Sequence, residues 1–246
     1  MEKQSLSSVQ FYDSLAEIYD AELESRSQWV GKVEQLIAGW ARERKARTIL
    51  DIGAGNGRRV HRLIQATGMS GVAVDVSPGM IEWARRLGVE GHVLDMASTD
   101  FVSGPLQGRK FDMVICTWNV LGHVQGHIPR VQAVRNMCSV LAPGGAVVLD
   151  VNNRYNTRQY GLRAVLRNLL RDTFQPGAAG DFLAHRSNSR GQTMHTLVHV
   201  FSSNEIAELC REAGLRIVKR EYLDYMSGEA KTRWSGQMCF LIEASA

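Results

Sequence analysis

The segment Asp51-Ile-Gly53-Ala54-Gly55-Asn-Gly57 follows a short apolar run and opens a stretch of helical period. Glycine has no Cβ, so a backbone built from it can turn tightly and approach a ligand closely. The first N–H groups of the helix behind it have no partner inside that helix and point at whatever lies in the turn. Such a turn receives a polar or anionic group, and the spacing narrows which one. A dinucleotide pyrophosphate calls for glycines at relative positions 1, 3 and 6. Here they stand at 53, 55 and 57, Arg58 holds the sixth place, and an acid precedes the first glycine by two residues. That is the wrong spacing for a pyrophosphate. Asp75 comes 22 residues after Gly53, at the end of the next apolar run. An ionised carboxylate there can accept two hydroxyl hydrogen bonds at once; its alternative role is to cap the strand end. Asp95, taken alone, is a surface acid. Asn119 and His123 are four apart and share a face on a helical turn. His123 is a candidate general base, because an imidazole titrates near working pH; its alternative is to cap the loop after a strand. Tyr12 and Tyr19, seven apart on one helix face, either close over a ligand or pack.

The elements that must position these residues alternate. Between about residues 30 and 150, β-rich apolar runs interleave with helix-period runs, the pattern of a parallel sheet covered on both faces. A helix is expected over 28–44, with Val33, Leu36, Ile37 and Trp40 on one face. Strands are expected at 47–53, 72–77, 92–96, 111–118 and 146–151, and helices at 58–67, 80–87 and 129–141. Ser77 is placed to cap the helix that Pro78 begins, and Pro143-Gly144-Gly145 to turn into the fifth strand. Residues 152–200 break the rhythm: a helical part over 158–173, a turn at Pro176-Gly177, and a hairpin over 181–201 turning at 188–191. A helix over 204–213, capped by Ser202-Ser203 and ended by Gly214, leads to closing strands at 216–225 and 233–244.

Composition excludes several classes. The 246 residues are 44% hydrophobic and 22% charged, which excludes disorder and fibrous repeats. No apolar run approaches the roughly 18 residues of a membrane helix, and the first twenty residues lack the order of a secretory signal. Four cysteines, none in a CxxC pair, fit neither a zinc ribbon nor a disulfide framework, so a reducing cytoplasm is expected. The net charge of +4 is not evenly spread: residues 152–190 hold seven arginines against two acids. That excess suits an anionic partner, or forms a solvated helix face. Tyr155, Tyr160, His195 and His199 lie in the same segment as candidate substrate contacts. His123, His195 and His199 lack the carboxylate pattern of a metal site, so none is expected. Cys116 has no adjacent base to make it a nucleophile.

The ordered set resembles the class I S-adenosylmethionine-dependent methyltransferases, whose first motif runs acid-x-Gly-x-Gly-x-Gly. The resemblance covers residues 11–151 and includes Phe111-Asp112, Leu141-Ala-Pro143-Gly144-Gly145, and Phe11-Tyr12-Asp13-x-x-Ala16-x-x-Tyr19-Asp20, which is similar to the N-terminal lid of small-molecule members. It implies a Rossmann-like α/β fold with a seven-stranded mixed sheet in the order 3-2-1-4-5-7-6 and a cap inserted after the fifth strand. It implies one domain, 1–246, made of lid helices (1–45), a cofactor-binding core (46–151), an Arg-rich cap (152–200) and a closing helix and strand pair (201–246). S-adenosylmethionine is the implied cofactor. Asp75 would take the ribose hydroxyls, and Asp95-Met96 would read adenine by carboxylate and backbone N–H. Gly53, Ala54, Gly55, Gly57, Val76 and Met80 would wall the site. Asp51 would orient the glycine loop, Cys116 and Thr117 would meet the methionine amine through backbone, and Tyr19 would close over the methionine end. Asp112 is expected to be structural. His123, Asn119 and Tyr19 are the catalytic candidates. The Asn/Asp-Pro-Pro-aromatic signature of DNA amino-methyltransferases is missing after the fourth strand. The expected reaction is therefore methyl transfer to nitrogen or oxygen of a small polar or anionic molecule, without a membrane partner. The alternatives are an RNA methyltransferase acting on a modified tRNA base, with the arginines as a phosphate track, and a non-catalytic cofactor-binding partner subunit.

Overall fold

A computed structural model describes residue 10 and residues 24–174, 180–187 and 193–245 of the chain. Helix α1 (Ser27–Glu43) precedes the alternation β1 (Thr48–Ile52), α2 (Arg58–Thr67), β2 (Ser70–Asp75), α3 (Pro78–Arg86), β3 (Glu90–Val93), β4 (Phe111–Cys116), α4 (His127–Ser139) and β5 (Leu141–Val151). The inserted segment holds α5 (Thr157–Tyr160), α6 (Leu162–Phe174) and the strands β6 (Asp181–Ser187) and β7 (Thr193–His199); α7 (Ser203–Glu212), β8 (Leu215–Leu223) and β9 (Gln237–Ala244) close the chain. The seven-stranded sheet runs β3-β2-β1-β4-β5-β9-β8. The first five strands are parallel; β9 alone runs against them, and β8, antiparallel to β9, closes the edge. With the two strands of the separate hairpin set aside, this is the order expected from the sequence.

Strand alternation sorts the core into two layers. Leu50, Ile52, Val114, Cys116, Leu149 and Val151 face one cluster with α4 and α7, while Ile49, Met113, Ile115 and Val148 face the other with α1, α2 and α3. The central strands are apolar on both faces, which is why they read as runs rather than alternations.

Several expected boundaries move: the fifth strand begins at Leu141 and runs through Pro143-Gly144-Gly145 instead of turning there, and the last strand begins at Gln237, not at residue 233. The third strand ends at Val93, not at residue 96, because Asp95 turns the chain: its carboxylate accepts the Ala97 N–H at 2.8 Å. The fourth strand ends at Cys116, because Trp118 and Asn119 take left-handed dihedrals. The expected helix over 158–173 is broken at Gly161, whose φ is +79°. The hairpin forms as expected, with Asp181 opposite His199; the turns at 176–177 and 188–191 lie outside the described residues. Helix α6 buries Val165 and exposes Leu162, Leu166, Leu170 and Phe174 in one row, beside the exposed Arg163, Arg167 and Arg171.

Candidate active site

The carboxyl ends of the parallel strands converge on a cavity of about 630 Å³. This is where ligands bind in open α/β sheets. Its first half is made by the glycine loop and the ends of β2 and β3. Gly53 and Ala54 donate their N–H groups to Val74 O at 2.8 and 3.1 Å, fastening the loop to β2. Gly53, Gly55 and Gly57 all have positive φ, and a Cβ on Gly57 would fall 2.5 Å from that of Ala84 on α3. Asp75 lines the cavity. One of its oxygens accepts the Gly55 N–H at 2.8 Å and the other the Ser77 N–H at 2.9 Å. Burial pushes its carboxyl up while those N–H groups hold it down. Ser77 in turn caps α3 through the Met80 N–H at 3.2 Å. Asp95 and Met96 line the opposite side, on a loop held by Asn136 Nδ2, which donates to Met96 O at 2.8 Å and Ser98 O at 2.7 Å. Val76 and Met80 complete this half.

Five of the expected cofactor residues stand behind the wall rather than in it. Asp51, Ala54, Gly57, Cys116 and Thr117 are buried and do not line the cavity. Asp51 forms a two-pronged pair with Arg59 (2.5 and 3.0 Å), and the same guanidinium donates to Gly53 O at 3.2 Å. It therefore braces the loop from below, through an arginine that no motif marks. Asp112 is structural as expected: its Oδ2 accepts from the backbone N–H of Arg47 and Thr48 and from the Thr48 hydroxyl. Tyr12 and Tyr19 lie outside the described residues.

The second half of the cavity opens beyond β4. Trp118, Asn119, Val120 and His123 line it from the loop after that strand. Asn119 does not present a spare amide: its Oδ1 accepts the Asn152 N–H at 2.9 Å and its Nδ2 donates to His199 O at 3.0 Å. Burial pulls His123 down to about 4, so its imidazole is neutral at pH 7. The cap contributes Gln159, Tyr160, His185 and Thr196, and Asn152 and Gln237 come from the facing ends of β5 and β9. Arg26 donates to the Tyr225 hydroxyl at 2.8 Å, and both face the cavity. Of these, the sequence flagged only Asn119, His123 and Tyr160. Gln237 and Tyr225 sit far along the chain from every motif, and nothing local marks them.

No cap arginine among the described side chains enters the cavity. Among the described side chains, Arg154 is buried and paired with Asp172 at 3.0 Å and with Glu205. Arg158 pairs with Asp224 at 3.1 Å, and Arg163, Arg167 and Arg171 face solvent. Tyr155 bonds Asp172 and borders a smaller cavity of about 240 Å³. His199 is clamped between Asp181 (2.5 Å) and Glu205 (2.7 Å), and His195 lies opposite His185 in the hairpin. No group of three or more metal-ligating side chains occurs among the described residues.

A profile described as "Methyltransferase domain" matches residues 23–220. The chain therefore belongs to this family, the class I S-adenosylmethionine-dependent methyltransferases whose strand order it has. It is 28% identical to a glycine/sarcosine N-methyltransferase of Halorhodospira halochloris over 146 residues, 58% of this chain and 52% of that one. It is also 28% identical to the probable tRNA methyltransferase 9B of Homo sapiens over 188 residues, 72% of this chain and 37% of that one. The chain thus spans about half or less of the length of these curated relatives. Among solved structures, the CcbJ methyltransferase of Streptomyces caelestis superposes with a TM-score of 0.67 at 18% identity, covering 96% of this chain and 98% of that one.

Proposed function

We propose that this chain transfers a methyl group from S-adenosylmethionine to a nitrogen or oxygen of a small, uncharged, hydroxyl-bearing molecule. The residues of the first half fit the nucleoside. Each Asp75 oxygen already accepts one N–H and retains lone pairs for a ribose hydroxyl. Asp95 offers a carboxylate to the exocyclic amine of adenine, and Met96 a backbone N–H to its ring. The bound cofactor supplies an electrophilic methyl on a sulfonium. The protein's share is alignment and the exclusion of water.

The observation that carries the choice of acceptor is the lining of the second half. Apart from Asp75 and Asp95, no carboxylate lines the cavity among the described residues, and Arg26 is its single guanidinium. The amides of Asn119, Gln125, Asn152, Gln159 and Gln237, the neutral imidazole of His123 and the rings of Trp118, Tyr160 and Tyr225 stand there among apolar side chains such as Val124, Phe182, Leu183 and Val198. A cationic acceptor finds no counter-ion there, and among the described side chains the cap arginines expected to hold an anion are paired elsewhere or face water. A neutral acceptor fits the donors and acceptors present. His123, at about 4, is a weak base. It orients the attacking N–H or O–H by accepting its hydrogen bond. Turnover measured across neutral, cationic and anionic acceptors tests the class: neutral hydroxylated compounds are expected to be methylated, and a clear preference for an anion would refute the assignment.

A second reading, a tRNA substrate, draws on the exposed row Arg163, Arg167 and Arg171 and on the human relative. It requires tRNA binding that weakens steeply with added salt, through counterion release. The third, a non-catalytic partner subunit, requires cofactor binding without turnover on any compound or RNA.

A further inference from the structure

We propose that Asp150 is a positioning residue of the methyl-transfer site, holding Trp118 in the cavity wall through a strained turn; this rests on the cofactor reading above. Asp150 lies on β5, is 2% exposed and does not itself line the cavity. Its Oδ1 accepts the Trp118 N–H at 3.0 Å, and its main-chain carbonyl accepts the Asn119 N–H at 3.2 Å. The two residues so held have φ of +66° and +56°. Asparagine tolerates that region, but a bulky tryptophan there is strained. Strained backbone persists only where its surroundings over-determine it. Asn119 adds two further ties, to Asn152 and to His199 O. A Cβ on Gly122 would collide with the Asn119 amide, so glycine is needed there.

The turn touches both halves of the cavity. Val120 occupies the space that a Cβ on Gly53 would take, against the glycine loop. The Trp118 ring meets Trp29 edge-on at 5.2 Å, and Trp29 meets Tyr225 at 4.9 Å, so one aromatic wall runs from the turn to the acceptor side. A shift in the turn therefore moves the glycine loop and the acceptor wall together.

The support is also chargeable. Asp150 Oδ2 is buried without a hydrogen-bond partner. Burial raises the carboxyl to about 7, against the Trp118 and Asn119 N–H groups and the charge of Arg59. Arg59 on α2 is the charged group that acts on it, and the flanking thiols of Cys116 and Cys239 are held neutral by burial. An ionised oxygen holds an N–H more strongly than a neutral one, so the turn tightens as pH rises through neutrality.

Calorimetric titration with S-adenosylmethionine at pH 6, 7 and 8, with thermal melts, tests this on the wild type, Asp150→Asn and Asp150→Ala. The expected wild-type affinity rises with pH. Asp150→Asn keeps an acceptor for Trp118 but cannot ionise, and loses at least about half of that rise. Asp150→Ala loses the acceptor altogether and binds about tenfold more weakly. Two variants that track the wild type at all three pH values overturn the proposal, as does a wild-type affinity independent of pH. If Asp150→Ala does not fold, the Asn profile decides alone: a reduced rise supports the proposal and an unreduced one overturns it. A wild type that binds no cofactor fails the cofactor reading itself, and this proposal with it.

Discussion

Each oxygen of the Asp75 carboxylate accepts one backbone N–H, which aims both at the cavity while leaving each able to accept once more. Asp75→Ala removes charge-assisted bonds, and calorimetry is expected to show S-adenosylmethionine bound more weakly by about 1–3 kcal/mol; unchanged affinity would contradict the ribose assignment. His123→Ala is expected to lower turnover while leaving cofactor affinity within about twofold, since the ring lies on the acceptor side. Equal losses in both would make it a structural residue. Asp150 has a stability signature of its own. Its folded pKa, about 7, stands above the unfolded value, so the folded state holds the extra proton and stability is gained as pH falls through 7. Asp150→Asn is therefore expected to melt higher than the wild type at pH 8, by about 1–3 kcal/mol of stability, with the gap closing towards pH 5. A constant gap would mean that the carboxyl does not titrate in the fold. Asp51, Gly53 and Asp75 could be singled out from the sequence because their types and spacing are local. Trp118 could not, because a left-handed tryptophan is set by tertiary hydrogen bonds.

Among the elements, β1, the glycine loop and α2 followed the sequence pattern closely, since an apolar run, three glycines and a helix-period stretch are contiguous there. The third strand ends before its apolar pattern does: the Leu94 N–H still donates to Asp75 O at 3.0 Å, while the Asp95 side chain turns the chain immediately after. The inserted helix looked continuous because its apolar period runs through Gly161, where only the backbone breaks. Gly57 joins two of these elements. Its φ of +76° and the approach of Ala84 mean that Gly57→Ala must both strain the cap of α2 and push α3 away. The expected loss is about 2 kcal/mol or more in a denaturant melt, with cofactor affinity falling in parallel. A neutral substitution would show that α2 and α3 do not pack through this contact.

Across the molecule, the arginine excess of residues 152–190 had suggested a grip on an anionic substrate, and the fold distributes it otherwise. Arg154 is spent on a buried network with Asp172 and Glu205, and three arginines line the outside of α6. Sequence counts charge without showing where side chains point, so a surplus in one segment could not reveal which guanidinium would face the cavity. Among the described side chains, the one that does is Arg26, from the start of α1. No described helix is long and apolar enough to cross a membrane. If the exposed arginine row is only a solvated face, tRNA binding should be absent or insensitive to salt between about 50 and 200 mM; a steep decline would favour the RNA reading.

The central claim is tested most directly by a crystal structure of the chain with S-adenosylhomocysteine at saturation. The account predicts the ribose hydroxyls against Asp75, adenine between Asp95 and Met96, and the sulfur turned towards His123 and Trp118. An empty cavity, or a nucleoside whose sugar lies away from Asp75, would contradict it.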